Sequence, residues 1–123
     1  MPLSSLRREG FADNNGVKIH YIELIPGAAK EPPLILVPGM ALSADFMVDD
    51  LVPPFNRHCI VMSIRGRGRS DAPLKGYSLR DQISDIGAVV RHLSLERFDL
   101  YGHSIGAVFA LGYTLEEMQR YLH

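Results

Sequence analysis

The sequence predicts an α/β fold, a doubly wound, mostly parallel sheet preceded by an antiparallel hairpin. Three observations lead there. The run at 34–37 is continuously apolar, as suits a strand covered on both faces, and shorter apolar stretches at 59–64 and 98–101 read as further strands. Between them lie segments with helical apolar spacing, and strand–helix alternation implies right-handed crossovers in a parallel sheet. Ahead of them, Asn15-Gly16 joins two alternating stretches, and this pair favours the type I′ turn of a hairpin.

The elements follow in order. In the hairpin spanning 11–24, Val17, Ile19 and Tyr21 alternate with Lys18 and His20, which predicts one buried face and puts His20 on the polar one. Pro26-Gly27 turns the chain, and Pro32-Pro33 limits where the strand over 34–37 can begin. From Ser43, an N-cap candidate, Phe46, Met47 and Leu51 keep a rough helical spacing until Pro53-Pro54 stops it. The strand from Cys59 runs into Arg65-Gly-Arg-Gly-Arg-Ser-Asp-Ala-Pro73, a loop punctuated by glycine and proline. Ser78 and Asp81 have the spacing of a capping box, and Leu79, Ile83, Ile86, Val90 and Leu93 then recur along one helical face. After the strand over 98–101 comes a last helical stretch. Gly112 reads as a stop within it, with Thr114 and Glu117 capping a fresh start.

Composition bounds the function classes. A chain of 123 residues, 46% hydrophobic and 22% charged, can bury the core of one domain. With a net charge of −1 there is no electrostatic case for nucleic acid or an anionic membrane. No secretory h-region or bilayer-length apolar run occurs, so a soluble cytoplasmic protein is expected. The single cysteine, Cys59, lies in an apolar run and is expected in the core, and no metal-ligand spacing is present.

The chemistry-bearing stretch is Gly102-His103-Ser104-Ile105-Gly106, at a predicted strand-to-helix junction. A G-x-S-x-G pentapeptide arises by chance on the order of 5% of the time in a chain this long, so the pattern alone decides little. Its position decides more. A serine on so sharp a turn is forced into unusual backbone angles, and the strand and helix approach too closely for side chains two residues before and after it. Gly102 and Gly106 meet that demand. Gly66-x-Gly68, by contrast, lacks the third glycine of a dinucleotide fingerprint and the lysine of a P-loop. It reads as a fixed turn whose arginines are solvated or bonded to neighbouring carbonyls and carboxylates.

Three landmarks carry a resemblance over roughly residues 11–111: Leu36-Val-Pro-Gly-Met40, Arg65-Gly-Arg-Gly-Arg-Ser70 and Gly102-His-Ser-Ile-Gly106. In type, order and separation they resemble the N-terminal half of an α/β-hydrolase. That resemblance implies Ser104 as nucleophile with a covalent acyl intermediate, the N–H groups of Met40 and Ile105 as oxyanion hole, and no cofactor. His103 would shape the turn rather than act as base. Pro38 stands where family members often carry histidine, which removes a side-chain hydrogen bond from that loop. The resemblance implies a small carbonyl substrate such as an ester, amide or thioester. Acyltransferases, C–C hydrolases and cofactor-free peroxidases of the same fold stay open, as does a non-catalytic module reusing the sheet edge.

On this fold a serine triad runs serine, acid, histidine along the chain. After Ser104 come Glu116, Glu117 and His123, but a helix rising 1.5 Å per residue carries His123 up to roughly 28 Å away. His20, His58 and His92 precede the serine and fall on other elements. The 123 residues are thus expected to form the first part of one hydrolase domain, with 112–123 departing from the family pattern and the chain alone inactive. Its last strand is expected to be an apolar edge prone to self-association or to pairing with a missing half.

Overall fold

The structure is a computed structural model describing residues 6–27, 31–40, 42–50 and 57–122. Five strands form one sheet: β1 (Leu6–Asn14), β2 (Val17–Ile25), β3 (Leu34–Val37), β4 (Cys59–Met62) and β5 (Asp99–Gly102), in the order β1-β2-β4-β3-β5. The hairpin β1–β2 is antiparallel and joins antiparallel to β4 through β2, while β3 runs parallel to both β4 and β5. Helices α1 (Ala44–Asp50), α2 (Leu79–His92) and α3 (Ile105–Leu122) supply the covering layers.

Each expected signal has a local cause. Asn15 and Gly16 take φ values of 51° and 94°, the left-handed pair that a type I′ turn requires. At the start of α2, Asp81 N donates to Ser78 Oγ at 3.1 Å and Ser78 N donates to Asp81 Oδ2 at 3.2 Å, closing the capping box. Every residue of β3 and β4 is buried, because helices lie on both faces. On one face Ile35, Val37, Ile60 and Met62 pack with Ile86, Val89 and Phe109 of α2 and α3; on the other Leu36 and Val61 pack with Ala44, Met47 and Cys59.

Two expectations are corrected. His20 is fully buried rather than on a solvated face. Strand β2 is interior, between β1 and β4, the residues after β4 bond its backbone further along (Ser63 N to His20 O, His20 N to Ser70 Oγ), and every residue from Ile19 to Glu23 is buried. Gly112 does not stop a helix, since α3 runs unbroken from Ile105 to Leu122. Thr114, instead of capping a new start, turns its hydroxyl back to donate to the Ala110 carbonyl at 2.9 Å. Pro53-Pro54, expected to end α1, lies outside the described residues, as does His123.

Among the described residues β5 pairs only with β3, and its residues are exposed or half-buried. It is an edge, as the sequence predicts. No described helix is long and apolar enough to cross a membrane.

Candidate functional site

Ser104 sits between the last residue of β5's turn and the first of α3 with φ of 59°, in the left-handed region a non-glycine residue rarely occupies. The hydrogen bonds around it explain why the strain is held. His103 N donates to Val37 O at 3.0 Å, which extends the β3–β5 ladder up to the turn, while Gly106 N and Ala107 N each reach back at 2.9 Å to His103 O and Ser104 O. Strand pairing thus ends one residue before the serine and helix winding begins one residue after. The serine takes the whole change of direction and stands exposed at the carboxyl end of the sheet, where ligands of such sheets bind.

The glycines are needed for space. A Cβ on Gly102 would lie 2.6 Å from Gly106 O, and one on Gly106 would lie 2.6 Å from Pro38 O and closer still to Val37 O. Both obstacles are backbone, which cannot rotate away. The same contact shows that α3 is driven against the end of β3.

A second segment closes on the serine from that strand. A Cβ on Gly39 would stand 3.1 Å from Ser104 Cβ and 3.3 Å from His103 Nδ1, so Pro38-Gly39-Met40 lies directly alongside the turn. Among the described residues no backbone carbonyl takes the N–H of Met40 or of Ile105. The Arg65–Ser70 loop braces this corner from beneath. Arg67 Nε donates to Met40 O at 2.5 Å, Ser63 Oγ accepts from Ala44 N at 2.8 Å, and Ser70 Oγ accepts from His20 N and donates to Ser63 O. Its arginines bond to neighbours, as the sequence predicts: Arg65 to Asp85 and the Gly76 carbonyl, Arg69 to Glu9 and Asp45. The carboxylates hold the Arg69 guanidinium far above its ordinary range and Arg69 in turn lowers Glu9.

The structure brings together Met40, Gly102, His103, Ser104, Ile105 and Gly106, the residues singled out by sequence. Among the described residues it brings no histidine other than His103 to them. His20 lies under the Arg69 network with Nε2 3.4 Å from Glu9, His58 Nε2 meets Glu23 at 2.6 Å, and the His92 ring packs on Tyr21 with centroids 5.6 Å apart. Among the described residues none bonds Ser104. Sequence reasoning missed Arg67 as the brace on Met40 and Asp85 as the anchor of Arg65. An acid beside the apolar stripe of α2, between Ile83 and Ile86, was the available signal for the second.

Among the described residues there is no cluster of three or more histidine, cysteine or acidic side chains that could hold a metal ion. A groove of about 770 Å³ lies at the opposite, amino end of β5, bounded by Leu95, Phe98, Leu100, Tyr113 and Met118. It is away from the serine and belongs to the edge strand.

Comparison with known proteins bears on the fold. A family model for the alpha/beta hydrolase fold matches residues 32–120. N-formylmaleamate deformylase of Pseudomonas putida is 34% identical over 113 residues, and a soluble epoxide hydrolase of a Corynebacterium is 26% identical over 104. The alignments cover 89% and 83% of this chain but only 40% and 35% of those proteins. Among solved structures, an N-acyl homoserine lactone degrading enzyme superposes with a TM-score of 0.76 at 30% identity, covering 89% of this chain and 41% of that one. A deformylase structure from Pseudomonas putida gives 0.72 at 28% identity, covering 91% and 43%. The chain spans about two fifths of the relatives it matches.

Proposed function

The chain belongs to the alpha/beta hydrolase family, and from the arrangement at Ser104 we propose that it carries the nucleophile half of a serine hydrolase site. The observation that carries this reading is the exposed Ser104 at φ 59°, with the Gly39–Met40 corner packed against it. In the proposed step Ser104 Oγ adds to a carbonyl carbon, and the carbonyl π pair becomes an oxyanion. The N–H groups of Met40 and Ile105 receive that oxyanion. The Oγ proton passes to a base, and the leaving group departs protonated as the carbonyl re-forms as an acyl-serine. Water then releases the acid and restores the hydroxyl.

Substrates with an acyl carbon bound to nitrogen or oxygen fit this step. The names of the deformylase and the lactone-degrading relatives describe such bonds, which supports an ester, amide or formamide class. The base is the part the chain lacks among its described residues. Left as an ordinary alcohol, Ser104 is a weak nucleophile, so the 123-residue chain alone is proposed not to turn over substrate.

Prolonged treatment with a fluorophosphonate at alkaline pH, read by peptide mass spectrometry, tests the nucleophile assignment. Ser94 is a control within the chain, since it is also exposed with a positive φ of 53° but faces no such corner. Label is expected on Ser104 ahead of Ser94; equal labelling overturns the assignment. Turnover of a p-nitrophenyl ester that disappears in Ser104→Ala would overturn the proposed inactivity.

A further inference from the structure

We propose, on the reading of Ser104 as nucleophile, that Arg67 is a positioning residue for the oxyanion corner. Its Nε–H bond to Met40 O fixes the direction of the Met40 N–H. A donor to an oxyanion is effective only when it is held in place before the charge develops, so that nothing reorganises during the reaction.

Two planar peptides meet at the Met40 Cα, and only two torsions separate them. The first carries Gly39 O and the Met40 N–H. Its carbonyl accepts from Leu42 N at 3.2 Å, and Leu42 packs against the buried cluster of Leu36, Ala44 and Met47. The second carries Met40 O, which accepts from Arg67 Nε at 2.5 Å. With a partner on each carbonyl neither peptide turns alone, and the Met40 N–H keeps one direction. Take Arg67 away, and the carbonyl bond left here among the described residues is the one from Leu42, at the long end of the ordinary range.

The loop that presents Arg67 is itself fixed. Arg67 N donates to Ile64 O and Ser70 N donates to Arg67 O, both at 3.1 Å, so two turns meet at this residue. Gly66 N donates to Asp71 O and Asp71 N to Lys18 O, each at 2.8 Å, which ties the base of the loop to β2. Arg65 and Arg69, on either side, are held by carboxylates, while Arg67 Nε and Nη1 go to the carbonyls of Met40 and Gly66. Gly68 takes a φ of 53°, and a Cβ there would lie 2.8 Å from Ser63 Oγ and 2.9 Å from Ser43 Cβ. The loop therefore lies against the residue that precedes α1. The Gly66-x-Gly68 pattern, which fits no phosphate-binding loop, serves here to bring one arginine from the end of β4 to the end of β3.

Two side chains match arginine position for position. In Arg67→Gln the amide nitrogen takes the place of Nε, so a donor is kept and the charge is lost. In Arg67→Met a methyl takes that place and no donor remains. Arg67 is exposed and its loop is anchored by its neighbours, so both variants are expected to keep a cooperative thermal transition. Fluorophosphonate labelling of the whole chain is read as the ratio of Ser104 to Ser94. It is expected to fall roughly tenfold in Arg67→Met, less than the loss of about 10²–10³ that follows outright removal of a donor. Arg67→Gln is expected to recover most of it, which a role for the positive charge would not allow. Heteronuclear NOE values need no reagent: those of the Met40 and Leu42 amides are expected to fall in Arg67→Met and to return in Arg67→Gln. Equal labelling ratios in wild type and Arg67→Met, a loss in Arg67→Gln as deep as in Arg67→Met, or an unchanged Met40 NOE would each overturn the proposal. Failure of the nucleophile reading looks different. The wild-type chain would then label Ser104 no faster than Ser94, and the NOE values would still decide whether Arg67 fixes Met40.

Discussion

Arg65 and Asp85 form a two-pronged ion pair, Nε to Oδ2 and Nη2 to Oδ1 both at 2.7 Å, with 6% and 1% of their side chains exposed. The pair ties the loop after β4 to the middle of α2. Asn14 adds a third bond by donating Nδ2 to Asp85 Oδ1 at 2.8 Å, which draws in the end of β1. Burial of both ions is costly, but removing one partner costs more than the pair is worth, because it leaves an uncompensated charge in the interior. Asp85→Ala is therefore expected to lower unfolding free energy by about 3–5 kcal/mol. The double replacement Arg65→Met/Asp85→Leu is expected to recover most of that. Urea midpoints would check both, and an Asp85→Ala cost below about 1 kcal/mol would refute the account.

A second prediction concerns pH. Burial pushes the His20 imidazole below its ordinary value of 6.5, Arg69 lowers it further, and Glu9 and Asp45 oppose the shift. The unfolded chain therefore binds this proton at a higher pH than the folded one. Stability from this group is fully present above about pH 6.5 and is lost as pH falls toward the folded value. Glu9, Asp13 and Asp81, whose values are lowered by their partners, act in a separate window below 4.5. Stability is expected to be lower at pH 5.5 than at 7.5, and His20→Leu to flatten that difference. His58 and His92 are present in both proteins, so an unchanged slope in the variant would exclude His20 as its source.

The same histidine shows where sequence reading stops. Asn15-Gly16, the Ser78–Asp81 capping box and the glycines around Ser104 are legible because each constraint acts within a few residues along the chain. The crossovers are legible because fully apolar runs such as Leu34–Val37 exclude a solvated face. His20 was misread because period-two alternation reports burial only when one face of the strand is wet. Whether β2 sits at an edge or inside depends on the strand that pairs with it 40 residues later. Arg65–Asp85 and Arg67–Met40 are likewise contacts between distant segments, with only the odd acid in α2 to hint at one of them.

A third prediction separates space from backbone angle. Gly106→Ala places a methyl 2.6 Å from Pro38 O, against backbone that has nowhere to go. Gly16→Ala meets nothing within 4 Å and suffers only the strain of a φ of 94°. The first variant is expected to lose the cooperative thermal transition and the second to lose about 1–2 kcal/mol. Comparable losses would mean that close approach of α3 to β3 is not what demands glycine at 106.

The last prediction tests why α3 passes through Gly112 without breaking. A glycine inside a helix costs about 1 kcal/mol relative to alanine, so something must favour it here. The reason is contact with α2. A Cβ at 112 would collide with the δ-methyl of Ile83 and lie 3.1 Å from its Cγ1, and Ile83 is only 5% exposed. Overpacking of that kind costs about 1–3 kcal/mol, enough to cancel the propensity gain or exceed it. Gly112→Ala alone is therefore expected to be neutral to destabilising. Ile83→Val removes the offending methyl at a cost of about 0.5–1.5 kcal/mol, and in that background Gly112→Ala is expected to stabilise. The double-mutant cycle should give a favourable coupling of about 1–2 kcal/mol. Additive free energies would mean that the glycine is there for some reason other than the close crossing of the two helices.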